Sequence, residues 1–159
     1  MTREKLILAN KYIGETPLEA LERVREERNI PEEIPMTYAG RLDPMAEGLL
    51  LVLIGGECKN KDAYLGLQKE YEVSVLLGFE TDTGDLLGRI TNHRFGVDME
   101  KLNITEVLKG LEGKHVQEYP AFSSKTVDGV ALFALAKANA LPEKFPSKEV
   151  EIKEIELLA

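Results

Sequence analysis

Ala39-Gly40-Arg41-Leu42-Asp43-Pro44-Met45-Ala46-Glu47-Gly48-Leu49-Leu50 is the stretch from which the rest of this 159-residue chain is best read. An aspartate stands between a glycine-bearing turn and a proline that fixes the next φ, directly ahead of an apolar run. A carboxylate mounted in this way is aimed by a rigid element, which is how reactive groups are commonly held. The same residues also fit a plainer role, an Asx-type turn in which Asp43 only organises the backbone before Pro44.

Downstream of that loop, which spans Thr37 to Gly48, Leu49 to Ile54 reads as a buried strand bounded by Gly55-Gly56. Upstream, Leu6 to Ala9 reads as a short strand. Thr16-Pro17-Leu18-Glu19 then combines an N-cap, a proline at N1 and a capping-box Glu at N3. The helix it opens runs from Pro17 to about Arg28, with Leu18, Leu21 and Val24 on one face, and the prolines of Asn29 to Pro35 end it. Further on, Lys59 to Leu67 is expected to form a helical turn or two. Glu70 to Gly78 reads as a strand showing Tyr71, Val73 and Val75 on one side.

A Thr/Asp/Gly loop from Thr81 to Gly88 leads into a strand at Leu87 to His93. Asn103 and Glu106 suggest a second capping box, opening a helix that stops at Gly113. Pro120 to Gly129 is expected as a loop and Val130 to Asn139 as a helix with Leu132, Leu135 and Ala136 inward. At the end, Val150 and Ile152 alternate, then Ile155 and Leu157, so the phase slips by one residue at Lys153-Glu154 and suggests a bulged strand. This mixture predicts an α+β fold, a mixed and largely antiparallel sheet with flanking helices, in a single domain over residues 1–159. A terminal strand with an open edge calls for a partner.

An apolar fraction of 43% with 30% charged residues places the chain among ordinary globular proteins. Its longest apolar run, Leu49 to Ile54, is too short to cross a bilayer, and the N-terminus carries no apolar signal block, so a cytoplasmic location is expected. One cysteine, Cys58, and two histidines, His93 and His115, leave little for a disulfide or a structural metal. The net charge of −8 speaks against indiscriminate nucleic-acid binding. Many acids crowd into Glu15 to Glu33, however, which leaves room for a local basic face drawn from Lys59, Lys61, Lys69, Arg89, Arg94 and Lys125, while composition alone fits scattered solvated charges as well.

The pattern Gly-X-Leu-Asp-Pro-X-Ala-X-Gly-X-Leu at residues 40–50 resembles the catalytic motif of the TruB family of pseudouridine synthases. Three more segments follow in the family's order. Lys69-Glu70-Tyr71 resembles its Lys-X-Tyr strand, and Leu77-Gly78 with Thr81-Asp82-Thr83, Asp85 and Gly88 resembles the segment after it. Gln117, Pro120, Ser123, Lys125 and Gly129, followed by Phe133 and Ala136, resemble the Pro-X-X-Ser-Ala-X-Lys-X-X-Gly segment, with Phe133 where Tyr is usual. Together they cover nearly the whole chain.

The resemblance implies the pseudouridine synthase catalytic fold and isomerisation of a uridine in RNA without a cofactor or metal, tRNA being the partner and the T-loop uridine, position 55 in standard tRNA numbering, the target. Asp43 would act covalently, as an ionised carboxylate. Tyr71 would stack on the extruded base and take the C5 proton; read from its strand alone, it is an aromatic packed in a sheet. Asp85 would hydrogen-bond near the flipped nucleotide, or serve only as a turn-former. Lys69 and Lys125 would meet phosphates, which position RNA without reading its sequence, or are ordinary surface lysines.

Two departures concern the gap that an extruded base leaves behind. Tyr38 stands where the family normally has His, and Arg41 where Thr or Ala is common. Gly-Arg-Leu-Asp echoes the related RluA and RsuA families, so Arg41, with Tyr38, is expected to serve as the wedge. A third departure is larger: the family's Gly-Thr-Tyr-Ile-Arg segment, whose Arg pairs with the catalytic Asp, and its C-terminal RNA-binding module are absent from these residues. The chain is therefore expected to be a truncated or reduced catalytic domain, weakly active or inactive alone, completed by a C-terminal segment or a second chain. The alternatives are a non-catalytic RNA-binding or tRNA-folding module and, from Arg41 alone, an RluA- or RsuA-like enzyme for ribosomal RNA.

Overall fold

A computed structural model describes residues 4–96, 98 and 102–158. The chain divides into two compact units, Met1–Val73 and Ser74–Ala159.

The first unit is a three-stranded antiparallel sheet with a helix on one face. Its strands are β1 (Leu6–Lys11), β2 (Met36–Ala39) and β3 (Gly48–Ile54), in the order β1-β3-β2. Leu6 lies opposite Leu53 and Lys11 opposite Gly48, while Met36 pairs with Ile54 and Ala39 with Leu51. Helix α1 (Pro17–Glu27) opens on the expected capping box: Thr16 Oγ1 accepts from the Glu19 amide, and the Glu19 carboxylate accepts from the Thr16 amide. That carboxylate's pKa is lowered, first by the bond to the Thr16 backbone. Val24 and Leu21 pack with Ile7, Ala9, Val52, Ile54 and Ile30 to make the core.

Leu18 does not join that core and stays 54% exposed, whereas Ala20 is buried. Three positions spaced by three drift round a helix by about 60° per step, so the stripe read as 18, 21 and 24 is truly 20, 21 and 24. After β3 come a 3-10 turn (Gly55–Asn60) and the short helix α2 (Lys61–Leu65). The stretch expected as a continuous loop from Thr37 begins instead with a strand, since β3 offers β2 a free edge. The irregular part is residues 40–47.

Residues 68–76 keep the alternation read in the sequence but form no strand. Tyr71, Val73 and Val75 are 62%, 72% and 73% exposed, and among the described residues no neighbouring strand supplies the ladder that would define one.

Among its described residues the second unit contains three two-stranded antiparallel pairs and two helices. Strand β4 (Phe79–Thr81) pairs with β5 (Ile90–His93); α3 (Ile104–Gly110) follows; β6 (Gly113–Glu118) pairs with β9 (Ser147–Ile152); β7 (Thr126–Val127) pairs with β8 (Val130–Ala131); and α4 (Leu132–Lys137) lies between β8 and β9. Helix α3 ends at Gly110, and Gly113 starts β6, a strand the sequence reading did not anticipate. The β7–β8 hairpin similarly takes up part of the expected Pro120–Gly129 loop and the first two residues of the expected helix. Strand β9 runs in unbroken register with β6 and ends at Ile152, so residues 153–158 are not a bulged continuation. The phase slip marks the end of pairing. The architecture is α+β, and among the described residues every strand pair is antiparallel. No helix among the described residues is long and apolar enough to cross a membrane.

Candidate functional site

Loop 40–47 is set between the ends of β2 and β3, and the first unit fixes it from below. Gly40 has φ 87, a left-handed conformation that lets the chain leave β2 sharply without a Cβ penalty. The Ala46 amide donates to the Asp43 carbonyl at 3.0 Å, closing a turn over Pro44. The Gly14 amide donates to the Pro44 carbonyl at 2.8 Å.

Beneath the loop lies Lys11, the last residue of β1 and wholly buried. Its Nζ donates to the Ala46 carbonyl at 2.6 Å, to the Tyr12 carbonyl at 3.0 Å and, at a longer 3.5 Å, to the Pro44 carbonyl. A buried ammonium is tolerated when its protons are taken up in this way. Strand β1 runs two residues past Ala9, the end expected from the sequence, and Lys11 lies in that extension. Carrying the alternation Ile7, Ala9 one step further places a lysine at a buried position, the signal that would have found it.

Residues 12–15, which carry the Gly14 amide, are themselves pinned to α1. Arg23 Nε donates to Glu15 Oε1 at 2.7 Å and its Nη2 to Glu15 Oε2 at 3.0 Å and to the Asn10 carbonyl at 2.7 Å. The guanidinium also lies 4.6 Å from the centre of the Tyr12 ring. The Arg23 hydrogen bond, helped by the Tyr12 amide, lowers the Glu15 pKa to about 2. Helix, Arg23, Glu15, Gly14 and Pro44 thus form one connected support for the loop.

Asp43 itself is exposed, and among the described residues no hydrogen bond or ion pair engages its carboxylate. Arg41, two residues earlier, is exposed as well. Tyr38 is half-buried on β2 opposite Val52, packed against the core with Lys61 Nζ 5.3 Å from its ring centre. Tyr71 is exposed in segment 68–76, and no hydrogen bond joins it to Asp43 among the described residues. Lys69 turns back on α2, donating to the Leu65 carbonyl at 2.9 Å and the Leu67 carbonyl at 2.8 Å.

Asp85 and Lys125 belong to the second unit. Asp85 Oδ1 accepts from Thr83 Oγ1 at 2.6 Å and from the Leu87 amide at 2.9 Å, the pattern of an Asx turn. An open groove of about 460 Å³ runs beside this turn, lined by Asp82, Thr83, Phe122 and Lys137 among others. Lys125 lies in the loop after β6, its Nζ 5.4 Å from the Tyr119 ring centre. Counted from Ser123, the pattern Ser-Ala-X-Lys reaches position 126, so Thr126 occupies the lysine's place and Lys125 stands one residue early. Among the described residues no group of three or more His, Cys, Asp or Glu is arranged to hold a metal.

The comparisons with known proteins agree with the loop's motif. Residues 28–159 match the family described as TruB family pseudouridylate synthase (N terminal domain). The chain is 33% identical over 154 residues to tRNA pseudouridine synthase B of Aquifex aeolicus, covering 96% of this chain and 52% of that protein. It is 32% identical over 154 residues to the same-named protein of Endomicrobium trichonymphae, covering 97% and 65%. The corresponding protein of Bordetella avium is 34% identical over 157 residues, with 97% and 62% covered. The chain thus spans between half and two thirds of the length of these relatives. With well over half of its residues matched in one piece, and the match including loop 40–47, the chain belongs to the TruB family of pseudouridylate synthases.

Proposed function

We propose that this chain carries the catalytic loop of an enzyme that isomerises uridine to pseudouridine in tRNA, at the T-loop position 55, with no cofactor. The observation that carries the reading is an exposed Asp43 carboxylate on a loop clamped by Lys11 and Gly14, within a family of pseudouridylate synthases. The relatives it matches are named tRNA pseudouridine synthase B, which supports tRNA as the RNA.

Asp43 attacks the base or the sugar covalently, and the N1–C1′ glycosidic bond breaks. The base rotates, C5 bonds to C1′, the bond to Asp43 breaks and returns the free carboxylate, the C5 proton leaves and N1 gains one, so atoms and charge balance without a redox partner. Tyr71 stacks on the extruded base and takes the C5 proton. Its exposed ring suits that task. Arg41 fills the gap in the RNA, because Tyr38 is already packed against the core and beneath Lys61. Lys125 meets the RNA backbone. Two of the three Lys69 ammonium protons go to α2-side carbonyls and Asp85 Oδ1 serves the 82–88 turn, so each shapes its own element while one Lys69 proton and Asp85 Oδ2 remain for RNA.

The test is tritium release from tRNA labelled at uridine C5, with Asp43→Asn set beside the parent in a protein completed to the relatives' length. The variant is expected to fall to background while tRNA binding persists. Release at the parent's rate overturns the catalytic assignment. A parent that binds tRNA but releases no tritium favours the non-catalytic RNA-binding reading. Arg41→Ala is expected to lose product while the fold is intact, and full activity removes Arg41 as the wedge.

A further inference from the structure

We propose that Tyr119, Lys125 and Lys148 form a platform that binds the phosphate backbone of RNA, a contact that rests on the RNA-directed reading above and adds two residues to it. Three chain segments of the second unit build it. Tyr119 follows β6 and is fixed by its amide, which donates to the Pro146 carbonyl at 2.9 Å. Lys148 comes from β9, where it lies opposite Gln117. Lys125 comes from the loop before β7, held by its own amide to Ser123 Oγ at 3.3 Å and by its carbonyl, which accepts from the Leu132 amide at 2.8 Å.

Both ammonium groups converge on one ring, Lys125 Nζ at 5.4 Å and Lys148 Nζ at 5.7 Å from its centre, inside the range of a cation–π contact. The half-buried ring therefore restrains two flexible cations that would otherwise lose that freedom only on binding. Neither is neutralised by a carboxylate among the described residues, in contrast to Lys114, which meets Glu149 at 3.7 Å, and Arg89, which meets Asp82 at 3.3 Å. A net charge of −8 disfavours a polyanion at long range, and a restrained pair of cations without carboxylate partners offers it a place to approach. The family of the chain makes RNA the fitting polyanion.

The experiment follows binding of a fluorescein-labelled RNA stem-loop by anisotropy across a KCl series. The slope of log K against log [KCl] is expected to fall by about 1.5 in the Lys125→Ala/Lys148→Ala protein, at roughly 0.7–0.9 per phosphate contact. It should hold at the parent's value in a Lys109→Ala/Lys153→Ala control with the same net charge. Tyr119→Phe should bind like the parent and Tyr119→Leu several-fold more weakly, with circular dichroism unchanged in all. An unchanged slope in the first double variant, or an equal fall in the control, overturns the proposal. So does loss of poly-glutamate binding with RNA binding intact, which would make the occupant an acidic protein surface. The outcome is separable from the catalytic reading, since an Asp43→Asn protein that still released tritium would leave these slopes as they are.

Discussion

Lys11 directs its charge onto backbone carbonyls, and its value to the loop follows from what each carbonyl has left without it. The Pro44 oxygen would still accept from the Gly14 amide, but the Ala46 oxygen takes its 2.6 Å bond from Lys11. Lys11→Met, similar in length and uncharged, should therefore orphan one acceptor and cost about 1–3 kcal/mol. Urea unfolding should show a lower midpoint with an unchanged slope, and a midpoint equal to the parent's would mean that water replaces the ammonium. Glu15 gives a second handle. Its carboxyl, lowered from 4.5 to about 2 by Arg23 and the Tyr12 amide, binds a proton more weakly folded than unfolded. Its contribution is complete above about pH 4.5 and is lost as the pH falls toward 2. Glu15→Gln should accordingly flatten the acid limb of the stability curve and leave its shape near neutrality alone. Residues of this kind were hard to read from sequence, since Asp43 announces itself by local pattern while Lys11 matters only once β1 and the loop meet across more than thirty positions.

At the scale of elements, the signals that proved legible were those satisfied within a few residues. The capping box of α1 closes between Thr16 and Glu19, and Thr16→Ala should lower stability by about 1 kcal/mol, read by thermal melting. Asn103 likewise accepts from the Glu106 amide at 3.3 Å and caps α3. Segment 68–76 and the tail beyond Ile152 carry the right alternation, yet alternation specifies a face and not a neighbour, so neither became a strand. The turn that holds Asp85 is legible in its composition but not in its tightness. A Cβ added at Gly88 would collide with the side chains of Thr81, Asp82 and Thr83. Gly88→Ala should therefore break the Thr83–Asp85 hydrogen bond and cost about 1–3 kcal/mol. The amide chemical shifts of Asp82 to Arg89 should move while those of β1 and β3 stay put. If Asp85 is needed only for this turn, Gly88→Ala and Asp85→Ala should impair function alike; a much larger loss with Asp85→Ala would give its carboxylate a direct role on RNA.

Across the whole molecule, burial is unevenly shared, and stability should be too. The first unit buries Ala20, Leu50, Val52 and Leu53 almost completely, around a sheet of three strands. In the second unit Leu132 is the one core side chain among the described residues, and its strands come in isolated pairs. Two-stranded pairs are marginal in water unless a hydrophobic face is covered, so their hydrogen bonds should open locally at little cost. Native-state hydrogen exchange on the full chain should thus find the β1 and β3 amides of Ala9, Leu50 and Val52 released only by global unfolding. The β4–β5 and β7–β8 amides should exchange many times faster, and β6–β9, six residues long in each strand, should fall between. This ordering bears on function, because the support beneath Asp43 lies wholly in the well-buried unit, while Asp85, Lys125 and the Tyr119 platform lie in the other. Added RNA should then slow exchange most around Tyr119, Lys125 and Lys148, where order remains to be gained, and least in β1 and β3. Equal protection of β6–β9 and β1–β3 in the free chain would show that the second unit is held by something other than its own buried side chains.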